Sequence, residues 1–415
     1  MQEFITFIII KIEKCLKMVK KISFLLLLLL IIVSCSQNKY TLLEKQLGEL
    51  DKMETQASKI KNSLKNKKGK EYLSEHDRYY DIMLKRANKA IKYLNKADPV
   101  NLSMDGLKNL AQIAKIAQDE QKTIDILKML FNRFPESKKD KQLLQLYFPN
   151  AYLLEPNEIE KYVDITIFSP SEQLFCYYAL ALGFSELENI EQAEKYNKKA
   201  NDLFKKIISD ITQKNTKSVL QIIALRSYIE YKLGHTSEAY KIINDIKKEL
   251  TDDYSKKQLE LYENRLKILG KEVQSIEYQF WVGTDHPIDL STLKGNVILL
   301  DFFTWNCKAC TIGLPSLFAL KEQIKNNFMI VGVTQYTGNQ SFSEIREYKY
   351  IKDHYYNKRK LKWPVSITRN DNMDDYGISS FPTYILIDKE GIVRDGYFIS
   401  NYSYLKKKIE LLLKN

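Results

Sequence analysis

Glycine and proline are scarce in this 415-residue chain, 14 and 9 in all, and cysteine is scarcer still, with five. Five cysteines over such a length cannot form the disulfide scaffold of a small secreted domain, so their chemistry is done singly or by one pair. The four histidines, His76, His235, His286 and His354, are scattered. A structural zinc site needs four ligands, and neither a second C-x-x-C nor an H-x-x-x-H accompanies the single C-x-x-C, so no metal is expected. Arginine-rich stripes and interleaved basic and aromatic residues are also missing. The formal charge of +12 falls to +9 without the first 34 residues, 59 basic against 50 acidic. That is a solubility-scale charge, and nucleic-acid binding is set aside. No apolar run approaches the roughly 20 residues of a membrane helix. What is present, 44% hydrophobic and 12% aromatic residues, is too apolar for disorder and too long for one compact core, which predicts two or more folded domains.

Lys20 and Lys21 precede ten apolar residues, Phe24 to Val33. As a helix these rise about 15 Å, half a bilayer, which suits the apolar segment of an export signal better than a span. The signal is read as residues 1–34, with Met18 as the start and Met1 to Lys17 a weaker duplicate that holds Cys15. Its end, Ile32-Val33-Ser34-Cys35, resembles the lipobox of bacterial lipoproteins. That resemblance implies lipidation of Cys35 and a stable membrane anchor by more than one acyl chain. The plainer reading is a secretory signal ending on an incidental cysteine. Ser36-Gln37-Asn38-Lys39 lacks an acid beside the lipid cysteine, so an outer-membrane anchor facing the periplasm is expected by the same resemblance.

Glycine is spread unevenly: six in the 238 residues from Cys35 to Glu272, eight in the last 143. Since strand turns and positive φ call for glycine, a helical region over 35–272 is expected to give way to an α/β domain over 273–415. Leu269-Gly270-Lys271 reads as the helix end at the boundary. Downstream, Val297 to Phe303, Phe328 to Val333, Thr383 to Asp388 and Ile392 to Phe398 read as strands, and Ile312 to Ile324 and Tyr402 to Leu413 as helices. In the helical half, Tyr177, Leu180, Ala181 and Phe184, followed by Ala193 and Ala200, match the spacing of a tetratricopeptide repeat. Further helix pairs are read around Tyr231, Gly234 and Ala239, and from Leu110 to Phe134 before Pro135. Ala193 and Ala239 lie 46 residues apart, against a repeat period of about 34, so the array is degenerate. It reads either as a surface for a peptide or partner, or as a spacer from the membrane.

The strongest chemical signal is an apolar strand, Leu299-Leu300-Asp301-Phe302-Phe303, running through Thr304-Trp305-Asn306 into Cys307-Lys308-Ala309-Cys310. A cysteine at the first turn of a helix meets unpaired N–H groups and the positive end of the helix dipole, which favour its thiolate, and Lys308 adds a charge. Cys307 is then the nucleophile. Cys310, three residues on, can attack a mixed disulfide on Cys307 and release the reduced client. Asp301 shares a strand face with Leu299 and Phe303, so a buried carboxyl there would have a raised pKa and could relay a proton from Cys310. The remaining Cys176, in an apolar stretch, reads as a buried helix thiol. His354 reads as part of a solvated helix face.

These residues resemble the thioredoxin superfamily, in particular its exported TlpA-like thiol-disulfide interchange branch. Cys307 and Cys310 fall on the attacking and resolving positions, and Asp301 on the buried acid six residues ahead. Ser380-Phe381-Pro382-Thr383 matches the loop whose cis-proline faces the disulfide. Trp363-Pro364, Tyr376-Gly377-Ile378 and the run from Tyr384 to Gly391 match the branch as well. The resemblance covers about residues 276 to 415. It implies a client groove shaped by Phe381 and Pro382, with Trp305 covering its rim, no cofactor, exported protein clients with thiols or disulfides, and electrons from a membrane thiol carrier. Asn306 stands where most relatives place Trp directly before the first cysteine, and Lys308-Ala309 replaces a dipeptide that often holds proline and tunes the potential. A reductase is favoured over an oxidant. Two other readings stand beside it: a scaffold that binds through its helical repeats, and a peroxide reductase, since Thr304-x-x-Cys307 resembles the T-x-x-C of peroxiredoxins.

Overall fold

The computed structural model describes residues 41–164, 167–214, 216–337, 343–368, 370–396 and 401–414. The export signal, its start at Met18 and the lipidation site Cys35 lie outside the described residues.

Among the described residues, eleven α-helices come first. Helix α1 covers residues 41–63. It is followed by α2 (Gly69–Lys96), α3 (Met104–Ala117), α4 (Glu120–Arg133), α5 (Lys141–Ala151), α6 (Pro156–Val163), α7 (Pro170–Glu186), α8 (Ile190–Lys214), α9 (Thr216–Lys232), α10 (Thr236–Glu249) and α11 (Asp253–Ile268). Their starts follow local chemistry. Ser169 caps α7 in a reciprocal capping box with Glu172, and Pro170 sits at the first turn, where its missing N–H costs nothing. Asp119, Asp140 and Asp252 cap α4, α5 and α11. Short connections fold α3 with α4, α7 with α8 and α9 with α10 into helical hairpins. In the second of these Phe184 stacks on Tyr196 at 5.8 Å, with Ala181, Ala193 and Ala200 fully buried.

The last third is a six-stranded mixed sheet. Its strands are β1 (Phe280–Val282), β2 (Val297–Phe302), β3 (Phe328–Gln335), β4 (Val365–Thr368), β5 (Thr383–Ile387) and β6 (Val393–Asp395), in the order β1-β4-β3-β2-β5-β6. Strands β2, β3 and β4 are parallel; β1, β5 and β6 pair antiparallel. The helices here are α12 (Lys308–Gln323), α13 (Glu344–Tyr350), which runs on as a π-helical turn over Ile351–Asn357, α14 (Asn370–Asp375) and α15 (Tyr402–Lys414). Three of the four expected strands hold to within two residues. The fourth is seen over Val393–Asp395, with a register irregularity opposite Leu386 and Ile387, and its expected end at Phe398 lies outside the described residues. Strands β1 and β4 were not legible in the sequence, because three or four residues carry no period of their own and exist as strands only through each other.

Alternation along β2 decides how the two halves meet. Leu299 and Phe303 point into a cluster with Leu314, Leu317 and Leu405 of α12 and α15. Ile298, Leu300 and Phe302 point the other way, into a cluster continuous with Leu259, Tyr262 and Leu266 of α11. A parallel strand must be covered on both faces, and here the helical half covers one of them. The halves, read from composition as consecutive units, therefore share one hydrophobic core. At Gly377 (φ +64°) a Cβ would lie 2.2 Å from the Leu261 carbonyl oxygen and 2.6 Å from the Arg265 nitrogen, so glycine is what lets α11 touch the backbone ahead of β5.

Candidate active site

Strand β2 delivers the C-x-x-C directly to the start of α12. The Cys307 N–H donates to the Thr304 carbonyl at 3.0 Å, and Cys307 is the N-cap residue, its sulfur accepting the Cys310 N–H at 3.0 Å. The two sulfurs are bonded at 2.05 Å. When the pair is reduced, the same N–H and the free N–H groups of the first turn favour a thiolate on Cys307. Cys307 is half-buried and Cys310 only 3% exposed. An attacking group thus reaches the first sulfur and not the second.

The bond Phe381–Pro382 is cis. Thr383 stands opposite Phe302 in the β5–β2 ladder, which puts this bond and the C-x-x-C at the same end of the sheet. Phe381 is half-buried and packs against both core clusters.

Asp301, opposite Tyr384 in the ladder, is 3% exposed. Burial raises its carboxyl from 3.8 to about 7. Burial also holds Tyr355, Tyr384 and Tyr402 well above the usual tyrosine range, with Asp301 adding to the shift in each. Across pH 4 to 7 the folded protein keeps a proton on Asp301 that the unfolded chain has lost. The stability contributed by the neutral acid is therefore full below about pH 4 and is lost as pH rises through about 7. Asp301→Asn should remove this dependence. Comparing urea unfolding at about pH 4 and pH 8, the wild type is expected to lose on the order of 4 kcal/mol that the variant keeps. Parallel pH profiles would show that Asp301 ionises as it does in water.

The helical half walls this site on one side. On α2, Tyr72, His76 and Tyr80 fall four residues apart and form a stripe aimed at the loop before Cys307. The Tyr80 hydroxyl donates to the Asn306 carbonyl. His76 is buried, its ring edge-on to Trp305 at 4.6 Å and its Nδ1 3.1 Å from the Tyr350 hydroxyl. Burial, more than the nearby Arg359, pushes the His76 imidazole down to about 3, so it is neutral. Asp77, beside it, accepts from Tyr350 at 2.7 Å and holds His354 at 2.6 Å and Lys358 at 3.0 Å.

Three sequence readings change here. Trp305 does not form an open rim: it is 1% exposed, sealed under His76 and Tyr350, with its indole N–H donated to Glu347 at 2.6 Å. Lys308 is not a free charge beside Cys307, because its ammonium meets Glu54 of α1 at 2.8 Å. His354 has a partner, Asp77, which lies 277 residues away in sequence. Of these partners Glu54, His76 and Asp77 stand on helices far upstream, and the His-and-tyrosine stripe on α2 is the one trace in the sequence of the packing on Trp305. Cys176 is buried in α7, and burial pushes its thiol up to about 12. Among the described residues there is no group of three or more His, Cys, Asp or Glu able to hold a metal ion, and no helix long and apolar enough to cross a membrane.

Comparison with known proteins places this geometry. Residues 295–393 match a family described as thioredoxin-like. The thioredoxin-like protein YneN of Bacillus subtilis is 23% identical over 146 residues, 35% of this chain and 77% of that protein. The thiol-disulfide oxidoreductase ResA of Bacillus anthracis is 31% identical over 130 residues, 30% of this chain and 66% of that protein. A crystal structure of a thiol-disulfide isomerase from Corynebacterium glutamicum aligns with 35% of this chain and 97% of its own, at 19% identity and a TM-score of 0.31. Residues 295–393 contain strands β2 to β5, the C-x-x-C and the cis Phe381–Pro382 bond. The C-terminal third of this chain, with residues 295–393 at its centre, is a thioredoxin-like domain.

Proposed function

We propose that this protein is an envelope-anchored thiol-disulfide oxidoreductase that reduces exported protein clients. The observation that carries the reading is the Cys307–Cys310 pair at the start of α12, with Cys307 half-buried and Cys310 buried, at the same end of the sheet as the cis Phe381–Pro382 bond. The thiolate of Cys307 attacks one sulfur of a client disulfide; an S–S bond forms to Cys307 and the other client sulfur leaves as a thiolate. Cys310, deprotonated with Asp301 taking the proton, attacks Cys307, and the second client thiolate leaves. The client gains two electrons, the C-x-x-C becomes a disulfide, and a membrane thiol carrier restores it. Phe381 and Pro382 shape the groove for the client. ResA and YneN support the chemistry through their likeness to the C-terminal third. The Lys20-Lys21, Phe24 to Val33 and Cys35 series supports the lipid anchor, and the helical hairpins of the first half are read as tetratricopeptide-like.

The direction of electron flow is tested by equilibrating the chain from residue 36 onward in graded thiol-disulfide buffers and trapping the pair. A potential below about −220 mV is expected for a reductase fed by a carrier, while one near −120 mV would make the protein an oxidant. Cysteines that never pair with each other would end the exchange reading altogether.

A further inference from the structure

The helical half reaches the site from a second side. Helix α11 grips the segment that leads into the cis-proline: the Asn264 amide donates to the Asp374 carbonyl at 3.0 Å, Lys257 pairs with Asp374 at 2.8 Å, and the Arg265 guanidinium donates to the Gly377 carbonyl, where the absent side chain lets the two backbones touch. Just beyond this grip, directly before Phe381–Pro382, a cleft of about 70 Å³ opens between Ser379 and Ser380 on one side and Leu220 and Gln221 of α9 with Tyr254, Gln258 and Tyr262 of α11 on the other. It holds no charged side chain. Tyr254, the largest residue on its lip, is 61% exposed, while Tyr262 and Leu220 at its floor are buried.

We propose that this cleft is a specificity subsite for the client, built by the helical half, and that it takes one small uncharged side chain of the polypeptide segment flanking the reacting cysteine. The inference rests on the oxidoreductase reading and adds what that reading leaves open, the recognition of clients. A segment whose cysteine sits on Cys307 passes the cis-proline and runs along Ser380, with one side chain turned into the cleft. There the amides of Gln221 and Gln258 can each accept from and donate to a peptide backbone, and the Tyr254 ring offers one face to a side chain. With no charge to pair or repel, the cleft favours neutral flanks, since a charged side chain would lose water there without compensation. The α11 grip matters because it fixes the cis-proline loop and the cleft wall in one frame.

The test compares two substrates on the full chain: the disulfide-linked dimer of a short uncharged peptide with a central cysteine, and hydroxyethyl disulfide, which is too short to reach the cleft. Tyr254→Ala, at an exposed position, should fold. The ratio of kcat/KM for the peptide to that for the small disulfide is expected to fall about tenfold, the size of a truncated interface anchor, through KM. Gln258→Ala should lower the ratio in the same direction, and aspartates placed in the peptide flanks should lower it for the wild type. An unchanged ratio in both variants overturns the subsite. Equal loss on both substrates also overturns it, because the residues would then support the dithiol generally. A wild type that turns over neither substrate removes the oxidoreductase reading itself, a result distinct from either.

Discussion

Cys307→Ser is expected to abolish disulfide exchange, by roughly three orders of magnitude or more, as loss of a nucleophile does. Cys310→Ser should give a different product. Its Cys307 still attacks, but nothing inside the protein then displaces the client, because the residue that would do so has lost its sulfur. The variant should accumulate a covalent adduct with a peptide disulfide, seen as a mass increase under non-reducing conditions and released by excess dithiol. The asymmetry follows from burial: Cys307 is half-buried and Cys310 is 3% exposed. If Cys307→Ser retained turnover, or if the adduct formed on Cys310 instead, the assignment of attacking and resolving roles would be wrong.

The second large effect lies between the halves. Glu186 of α7, with only 3% of its side chain exposed, meets Lys232 of α9 at 2.8 Å and Lys408 of α15 at 2.7 Å, and accepts from the Tyr404 hydroxyl at 2.6 Å. Asp395 of β6 completes the network, accepting from Tyr404 at 3.1 Å and from Tyr228 of α9 at 3.0 Å. Glu186→Ala leaves two lysines facing one carboxylate at the seam, and breaking one partner of a buried network costs about 3–5 kcal/mol. Replacing the whole network with apolar residues would cost far less, since the penalty comes from the charges left behind. Burial pushes the Glu186 carboxyl up, but Lys232 and Lys408 outweigh it and hold it at about 2 against 4.5 in the open chain. A depressed acid contributes stability that is full above its unfolded value and lost as pH falls through the folded one. The wild type should therefore lose this stabilisation between about pH 4.5 and 2, and the variant, already without it, should not. Urea unfolding at neutral pH measures the first effect. A change under about 0.5 kcal/mol, the range of an ordinary surface substitution, would mean the network contributes only geometry.

The same contrast between local and distant interactions separates what was legible in the sequence from what was not. An apolar run ending in C-x-x-C, an acid six residues ahead of it, and Phe381-Pro382 before another apolar run are arrangements along the chain, and the structure puts them at one end of one sheet. The uneven glycine likewise marked where helices stop and strands begin, because turn chemistry is a property of a few neighbouring residues. Strands β1 and β4 escaped since each is defined by its partner. Trp305 reads as a rim residue because its immediate sequence neighbours do not cover it; what buries it is His76, more than two hundred residues upstream, together with Tyr350 and Glu347 of α13. Lys308 is engaged by Glu54, and Asn306 by Tyr80, for the same reason.

Local order therefore determined the elements of the candidate site: which cysteines form the pair, which acid is buried on the strand ahead of them, and which proline lies at the same end of the sheet. Tertiary structure alone decided that the helical half borders the candidate active site, since it covers one sheet face, packs on Trp305 and holds the segment ahead of the cis-proline from α11. The physical reason is that turns, caps and strand alternation are set by residues within one turn or one strand of each other. The choice of which helix covers an apolar sheet face is made by burial across the whole chain, where sequence separation carries no information.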